Sequence, residues 1–255
     1  MIKNRALFEF WLKEAETSSF AGWDFSYLAG RMVEMPVAWG YKSRILPKIR
    51  QVASLLDMGT GGGEFLASLQ PLPAQTYATE AYPPNVPIAR RRLSPLGVEV
   101  IPVEEGSPLP FSDQQFELVI NRHEWYAPSE VYRILKPGGE FITQQVGENN
   151  DIELNLLLGA PSPTGGEANW FVDTAARALG NVGFWVEQTQ TDFTRTRFYD
   201  IGAIIYYLKA VPWQVPDFSV EAYWEPLGEI HNRIERDGYL DVTLHRFFIH
   251  ARRLD

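Results

Sequence analysis

The sequence predicts an α/β fold: a doubly wound, mostly parallel sheet with helices on both faces. Three observations predict it. Buried-strand patterns alternate with helical patterns from about residue 52 to residue 146. A glycine-rich turn, Gly59-Thr60-Gly61-Gly62-Gly63, joins the first of these strands to the helix that follows. Acids stand at strand ends, Asp57 and Glu80. Strands that alternate with helices form a parallel sheet covered on both faces.

The elements follow in order. Residues 5–16 read as an amphipathic helix, with Leu7, Phe8, Trp11, Leu12 and Ala15 near helical spacing. The stretch 18–47 reads as irregular, rich in glycine and aromatics, with Pro36 and Pro47. Residues 52–57 read as a buried strand, and Glu64 to Leu69 opens a helix. A strand over 75–80 ends at Glu80, and a helix over 85–93 starts after Pro83-Pro84 and stops before Pro95. Strands follow over 98–103 and 116–120. A short helix from Ser129 to Leu135 is stopped by Lys136-Pro137-Gly138-Gly139, and Glu140 to Val146 is the fifth strand. Residues 159–166 read as a loop, 170–180 as a helix, 184–191 as a strand and 240–252 as the closing strand. Between the last two strands, residues 199–238 exceed what a sheet needs and carry an apolar helical segment, Ile201 to Leu208.

Composition narrows the function classes. There is no cysteine, which excludes disulfides, thiol nucleophiles and cysteine metal sites. His123, His231, His245 and His250 show no metal-ligand spacing, so no metal is expected. A formal charge of −9 argues against a nucleic-acid-coating chain, which needs clustered Lys and Arg. The run Arg90-Arg91-Arg92 is expected on the solvated face of a helix. No apolar run reaches membrane-span length, and early charges break up a signal-peptide core. A soluble, cytoplasmic protein with no membrane partner is the expectation.

The glycine turn carries the functional argument. Glycines there let the backbone approach a ligand closely. Counted from Gly59, the third glycine of the dinucleotide pattern GxGxxG falls on Glu64. The pattern is instead acid-x-Gly-x-Gly-x-Gly. An acid two residues before the first glycine repels a pyrophosphate and suits a ligand with an ammonium group. Glu80, at a strand end 23 positions after Asp57, is placed to accept ribose hydroxyls. Glu105-Gly106 follows the third strand, where a carboxylate and a backbone N–H can read an adenine.

With these residues in view, the chain resembles the class I S-adenosylmethionine (SAM)-dependent methyltransferases, in their type-11, small-molecule branch. The resemblance rests on Leu55 to Phe65, Glu80, Leu109-Pro110-Phe111, Phe116 to Ile120 and Arg133 to Gly139, and covers about 50–147. It implies a Rossmann-like seven-stranded sheet with the last strand antiparallel. It implies SAM as cofactor, with Asp57, Gly59 and Gly61 on the methionine moiety and Thr60 in the same loop. Glu80 would take the ribose, Glu105 and Gly106 the adenine, and Asn121 the sulfonium side. The family often has Asp at the adenine position, and Glu104 stands beside Glu105 as the other acid that could point inward.

Chemistry is expected beyond the carboxyl ends of the strands, at Asn121 to Tyr126 and Gln144 to Asn150. Methyl transfer mainly needs alignment of nucleophile and methyl group. Where the acceptor must lose a proton, His123 is the candidate base and Glu124 its candidate orienter, or a helix cap. Trp23, Trp39, Tyr41 and Trp125 are candidate walls, and Arg31 a candidate partner for the methionine carboxylate. His245 and His250, at odd separation on one strand, point to opposite faces and receive no role.

One domain over 1–255 is expected: an N-terminal segment 1–47, a core of 48–198 and 239–255, and a cap insertion 199–238 over the acceptor side. The expected function is methyl transfer to a small-molecule substrate. An RNA or protein methyltransferase, or a SAM-binding regulator or scaffold without turnover, are the competing readings.

Overall fold

The computed structural model describes residues 2–18, 25–161 and 170–254. In chain order the elements are α1 (Arg5–Thr17), β1 (Met32–Glu34), α2 (Tyr41–Ile49), β2 (Ser54–Met58), α3 (Glu64–Ala67) and β3 (Gln75–Glu80). Then come α4 (Asn85–Leu93), β4 (Glu99–Pro102), β5 (Phe116–Arg122), α5 (Pro128–Ile134), β6 (Leu135–Val146) and α6 (Ile152–Leu158). The chain ends with α7 (Val172–Asn181), β7 (Phe184–Phe198), α8 (Ile201–Ala210), α9 (Trp224–Asp237) and β8 (Leu240–Arg253). They form two compact units.

The sheet unit comprises Ala38–Val146, Phe171–Thr191 and Arg246–Asp255. Its strands lie in the order β7-β8-β6-β5-β2-β3-β4. β2 pairs in parallel with β3 and β5, β3 with β4, and β5 with β6. β8 runs antiparallel to β6. All five residues of β2 are buried, as is Leu118 to Asn121 of β5. Such unbroken apolar runs belong to central parallel strands covered on both faces.

The second unit comprises Met1–Val37, Gly147–Trp170 and Asp192–His245, and is mainly helical. Phe8 and Leu12 of α1, Leu154 and Leu158 of α6, Ile204 and Leu208 of α8, and Leu227 and Ile234 of α9 share one core. α8 is buried on nearly all sides, so its apolar sequence marks a central helix rather than a surface one. Asp200 caps it, its Oδ1 accepting the Ala203 N–H at 2.8 Å. Residues 199–238 thus supply α8 and α9 to a unit they build together with α1 and α6.

The sheet differs from the expectation by one strand. Met32–Glu34 pairs antiparallel with Thr196–Phe198, because β7 continues past residue 191 to Phe198. A three-residue strand carries too little periodicity to be read within an irregular stretch. That stretch also contains α2, whose buried Tyr41, Ile45 and Ile49 recur at four-residue spacing despite Pro47. The short helix α6 was likewise not expected. Residues 162–166 of the expected 159–166 loop lie outside the described residues. Among the described residues, no helix is long and apolar enough to cross a membrane.

Candidate active site

The glycine turn follows β2 directly. Gly59, Gly61 and Gly63 have φ values of 69°, 61° and 82°, a region glycine enters without a Cβ penalty. The turn is pinned to β3, since Thr60 N donates to Thr79 O at 2.9 Å. A methyl group on Gly59 would fall 2.4 Å from Cγ of Glu124 and 2.7 Å from its Oε2. Gly59 is therefore required by shape as well as by φ. Arg92, exposed at the end of α4, reaches back to the Gly62 carbonyl and to Glu64.

A cleft opens at the carboxyl ends of four parallel strands. Its wall includes Met58 and Gly59 after β2, Thr79 and Ala81 around the end of β3, Val103 to Ser107 after β4, and Glu124 to Ala127 after β5. Among the described residues four carboxylates line it, Glu104, Glu105, Glu124 and Glu130, with no Lys or Arg. Glu130 is already committed: Arg133 lies 2.8 Å away. Of the expected site residues, Gly59, Glu105, Gly106 and Glu124 stand on this wall. Asp57, Thr60, Gly61, Glu80, Asn121 and His123 are not on it. Trp125 lines it, while Trp23 lies outside the described residues. Thr79, next to the end of β3, and Glu130, in the first turn of α5, are lining residues that no motif marks.

Two acids sit behind the wall. Asp57 is buried, which pushes its carboxyl up to about 7; the Thr60 hydroxyl and Arg122 pull the other way. Burial also raises Glu80, against hydrogen bonding from backbone groups that include Tyr82 N, 2.8 Å from its Oε1. On the wall, Glu124 is pushed up to about 7 by burial and then by the charges of Glu80 and Glu105. Glu104 and Glu105 both line the cleft.

Asn121, the penultimate residue of β5, has no exposure to solvent. Its Oδ1 accepts from Thr143 Oγ1 at 2.9 Å and from Gln145 Nε2 at 2.5 Å. Those contacts fix the amide, and Nδ2 is left buried with no hydrogen-bond partner among the described residues. Tyr41 bridges the backbone there: its hydroxyl lies 2.9 Å from the Asn121 and Ile142 carbonyls.

His123 follows with φ 64°, an uncommon conformation for a residue with a Cβ. Gln144 holds it twice. The His123 N–H donates to Gln144 O at 2.8 Å, and Gln144 Nε2 lies 2.9 Å from His123 Nε2. Trp39 Nε1, which can only donate, bonds Gln144 Oε1 at 2.9 Å. Gln144 must therefore present its NH2 to His123, whose Nε2 accepts and whose proton lies on Nδ1. Although the residue is open to solvent, surrounding protein and then Arg246 and Arg122 hold the imidazole well below its usual range. The ring is neutral near pH 7, and the lone pair a base would use is occupied.

Arg31 belongs to the helical unit and is committed within it. It pairs with Asp200 at 2.6 Å and Glu14 at 3.0 Å, and lies 4.5 Å from the ring centres of Trp11 and Tyr27. His245 stacks on Phe193, and His250 pairs with Glu140 at 2.8 Å.

The donor set fits a cation and rejects a phosphate. A glycine cradle, the Glu124 carboxylate with no ion pair among the described residues, and the unpartnered Asn121 amide gather around the ends of β2 to β5. These features match a ligand with ammonium, sulfonium and ribose groups better than a dinucleotide.

Comparison with known proteins agrees. Residues 56–143 match the family model of a methyltransferase domain. Among curated proteins, no sequence matches. Among solved structures, a candidate methyltransferase from Bacillus halodurans C-125 is similar at TM-score 0.58 and 18% identity, covering 82% of this chain and 99% of that one. A candidate sarcosine dimethylglycine methyltransferase from Galdieria sulphuraria gives 0.53 and 14%, covering 84% of both chains. A geranyl diphosphate methyltransferase in complex with SAM gives 0.50 and 14%, again covering 84% of each. At these identities the likeness to the structures is one of fold; the family model adds the motif-bearing half of the sheet. Residues 56–143 thus carry a methyltransferase domain, on a fold shared with methyltransferases that include one solved in complex with SAM.

Proposed function

We propose that this protein binds SAM in the cleft at the ends of β2 to β5 and methylates a small molecule. One observation carries the cofactor reading: the cleft wall bears carboxylates and no Lys or Arg around a glycine turn. Bound SAM would supply an electrophilic methyl group on a positively charged sulfur. Asp57 would hold its amino group, Glu80 its ribose hydroxyls, and Glu105 with Gly106 its adenine. Asn121 Nδ2 offers a donor at the end of β5. The small-molecule acceptor is supported by the acidic chain and by relatives in fold whose names specify small substrates.

The protein's part is to align and to exclude water. His123, just past the end of β5 and off the cleft wall, is a neutral, tautomer-fixed ring, since Gln144 holds its lone pair. This favours acceptors whose nucleophile needs no strong base.

A thermal shift experiment tests the reading, because a ligand of the native state raises stability by mass action. SAM and S-adenosylhomocysteine (SAH) at saturation should raise the melting temperature, and NADH should not. The reverse pattern sinks the cofactor assignment. Turnover with a panel of small acceptors, against RNA and protein, tests the acceptor class. Binding without turnover on any of them would mark a regulator or scaffold.

A further inference from the structure

We propose that Glu124 reads the charge of the molecule in the cleft, favouring the sulfonium donor over the neutral thioether product. This rests on the SAM reading above. Glu124 lies directly on the glycine turn, its Cγ and Oε2 within 2.7 Å of where a Gly59 methyl group would sit. The segment that delivers it is pinned. Glu124 O accepts from Gln145 Nε2 at 3.0 Å, and the residue before it is tied to Gln144.

The carboxylate itself is uncommitted. Among the described residues its oxygens accept no hydrogen bond and form no ion pair. The charges facing it are negative: Glu80 from the end of β3 and Glu105 from the loop after β4. Asp57 lies buried behind Gly59, and Glu104 and Glu130 also line the cleft, Glu130 paired with Arg133. On its own segment, His123 is neutral, and Arg122 lies over the Phe65 ring at 4.8 Å. Burial and the neighbouring acids accordingly push its carboxyl up to about 7.

An uncompensated carboxylate is stabilised by a bound cation and not by a neutral ligand of the same shape. SAM and SAH differ by one methyl group and one positive charge, and share the adenosine and the amino acid. Asp57, assigned above to the amino-acid side, would meet the same ammonium in both. Glu124, over the turn, is the acid whose preference falls on the difference, so it loosens the product relative to the donor.

The test is calorimetry on the full chain with SAM and with SAH, at about pH 6 and about pH 8. In the wild type the SAM-to-SAH affinity ratio should rise by about fivefold between these pH values, most of the tenfold limit that a one-unit movement of the carboxyl on binding sets. Glu124→Gln, near-isosteric and neutral, should lower the ratio at the higher pH and remove its pH dependence. Glu124→Asp, which keeps the charge but draws it back from Gly59, should fall between. Both ligands binding Glu124→Gln with the wild-type ratio and pH dependence overturns the proposal and leaves the SAM reading intact. Neither ligand binding the wild type overturns both.

Discussion

Gln144 donates its side-chain amide to Nε2 of His123 across 2.9 Å, and Trp39 decides which way that amide faces. The contact turns the one histidine at the end of β5 from an apparent base into a ring with a fixed proton. A free imidazole titrates near neutrality and serves as a proton acceptor. This one is neutral, has its lone pair engaged, and lies near two guanidinium groups.

The ring of His123 is expected to stay neutral well below the ordinary imidazole range, in the Nδ1-protonated form. Nitrogen-15 chemical shifts followed through a pH titration report both. A ring that titrates at or above about 6.5, or carries its proton on Nε2, would return it to the role of base.

Glu80 should matter to the ligand more than to the fold. Glu80→Ala and Glu80→Gln are expected to weaken SAM binding by roughly 1.5–3 kcal/mol, the loss of charge-assisted hydrogen bonds. Glu80→Gln can keep the contact with Tyr82 N, so it separates the ribose role from the local turn. Unchanged affinity by calorimetry in both variants would make Glu80 a structural acid.

Asp57 makes the ligand-free protein pH-sensitive. Its carboxyl moves from 3.8 to about 7 on folding, so between these values the folded chain holds a proton the unfolded chain has lost. Stability therefore falls as pH rises through that window, by an amount on the order of 2–4 kcal/mol, and the loss is complete above it. Asp57→Asn should flatten the dependence and stabilise the ligand-free chain at about pH 8. Urea unfolding at about pH 5 and about pH 8 measures it. A wild type no less stable at the higher pH contradicts the prediction.

Gly59→Ala should be costly twice over. It places a Cβ at φ 69° and drives it into Glu124. The expected destabilisation is about 2–4 kcal/mol from strain and overpacking together. Shortening the neighbour in Gly59→Ala/Glu124→Gly should recover the overpacking part but not the backbone part. Additive effects in a double-mutant cycle would mean that the two residues do not touch.

The sequence by itself determined the parallel sheet, the turn after β2 and the acids at the strand ends. β3 and α4 fall on the expected residues, 75–80 and 85–93, because their periodicity and flanking prolines are local signals. The positions of Asp57, Gly59 and Glu80 at or just past strand ends were legible for the same reason, since register fixes where the strands of such a sheet end. Only the tertiary structure decided what the segments after β5 do. The state of His123 depends on Trp39 and Gln144, distant in sequence, and that of Glu124 on Gly59, Glu80 and Glu105. Residue spacing carries no information about such contacts. The same holds for residues 199–238: their apolar character was visible, but that α8 becomes the centre of a core shared with α1 and α6 was not. Burial of a helix on every side is a property of what packs around it, and here those partners come from parts of the chain nearly two hundred residues apart.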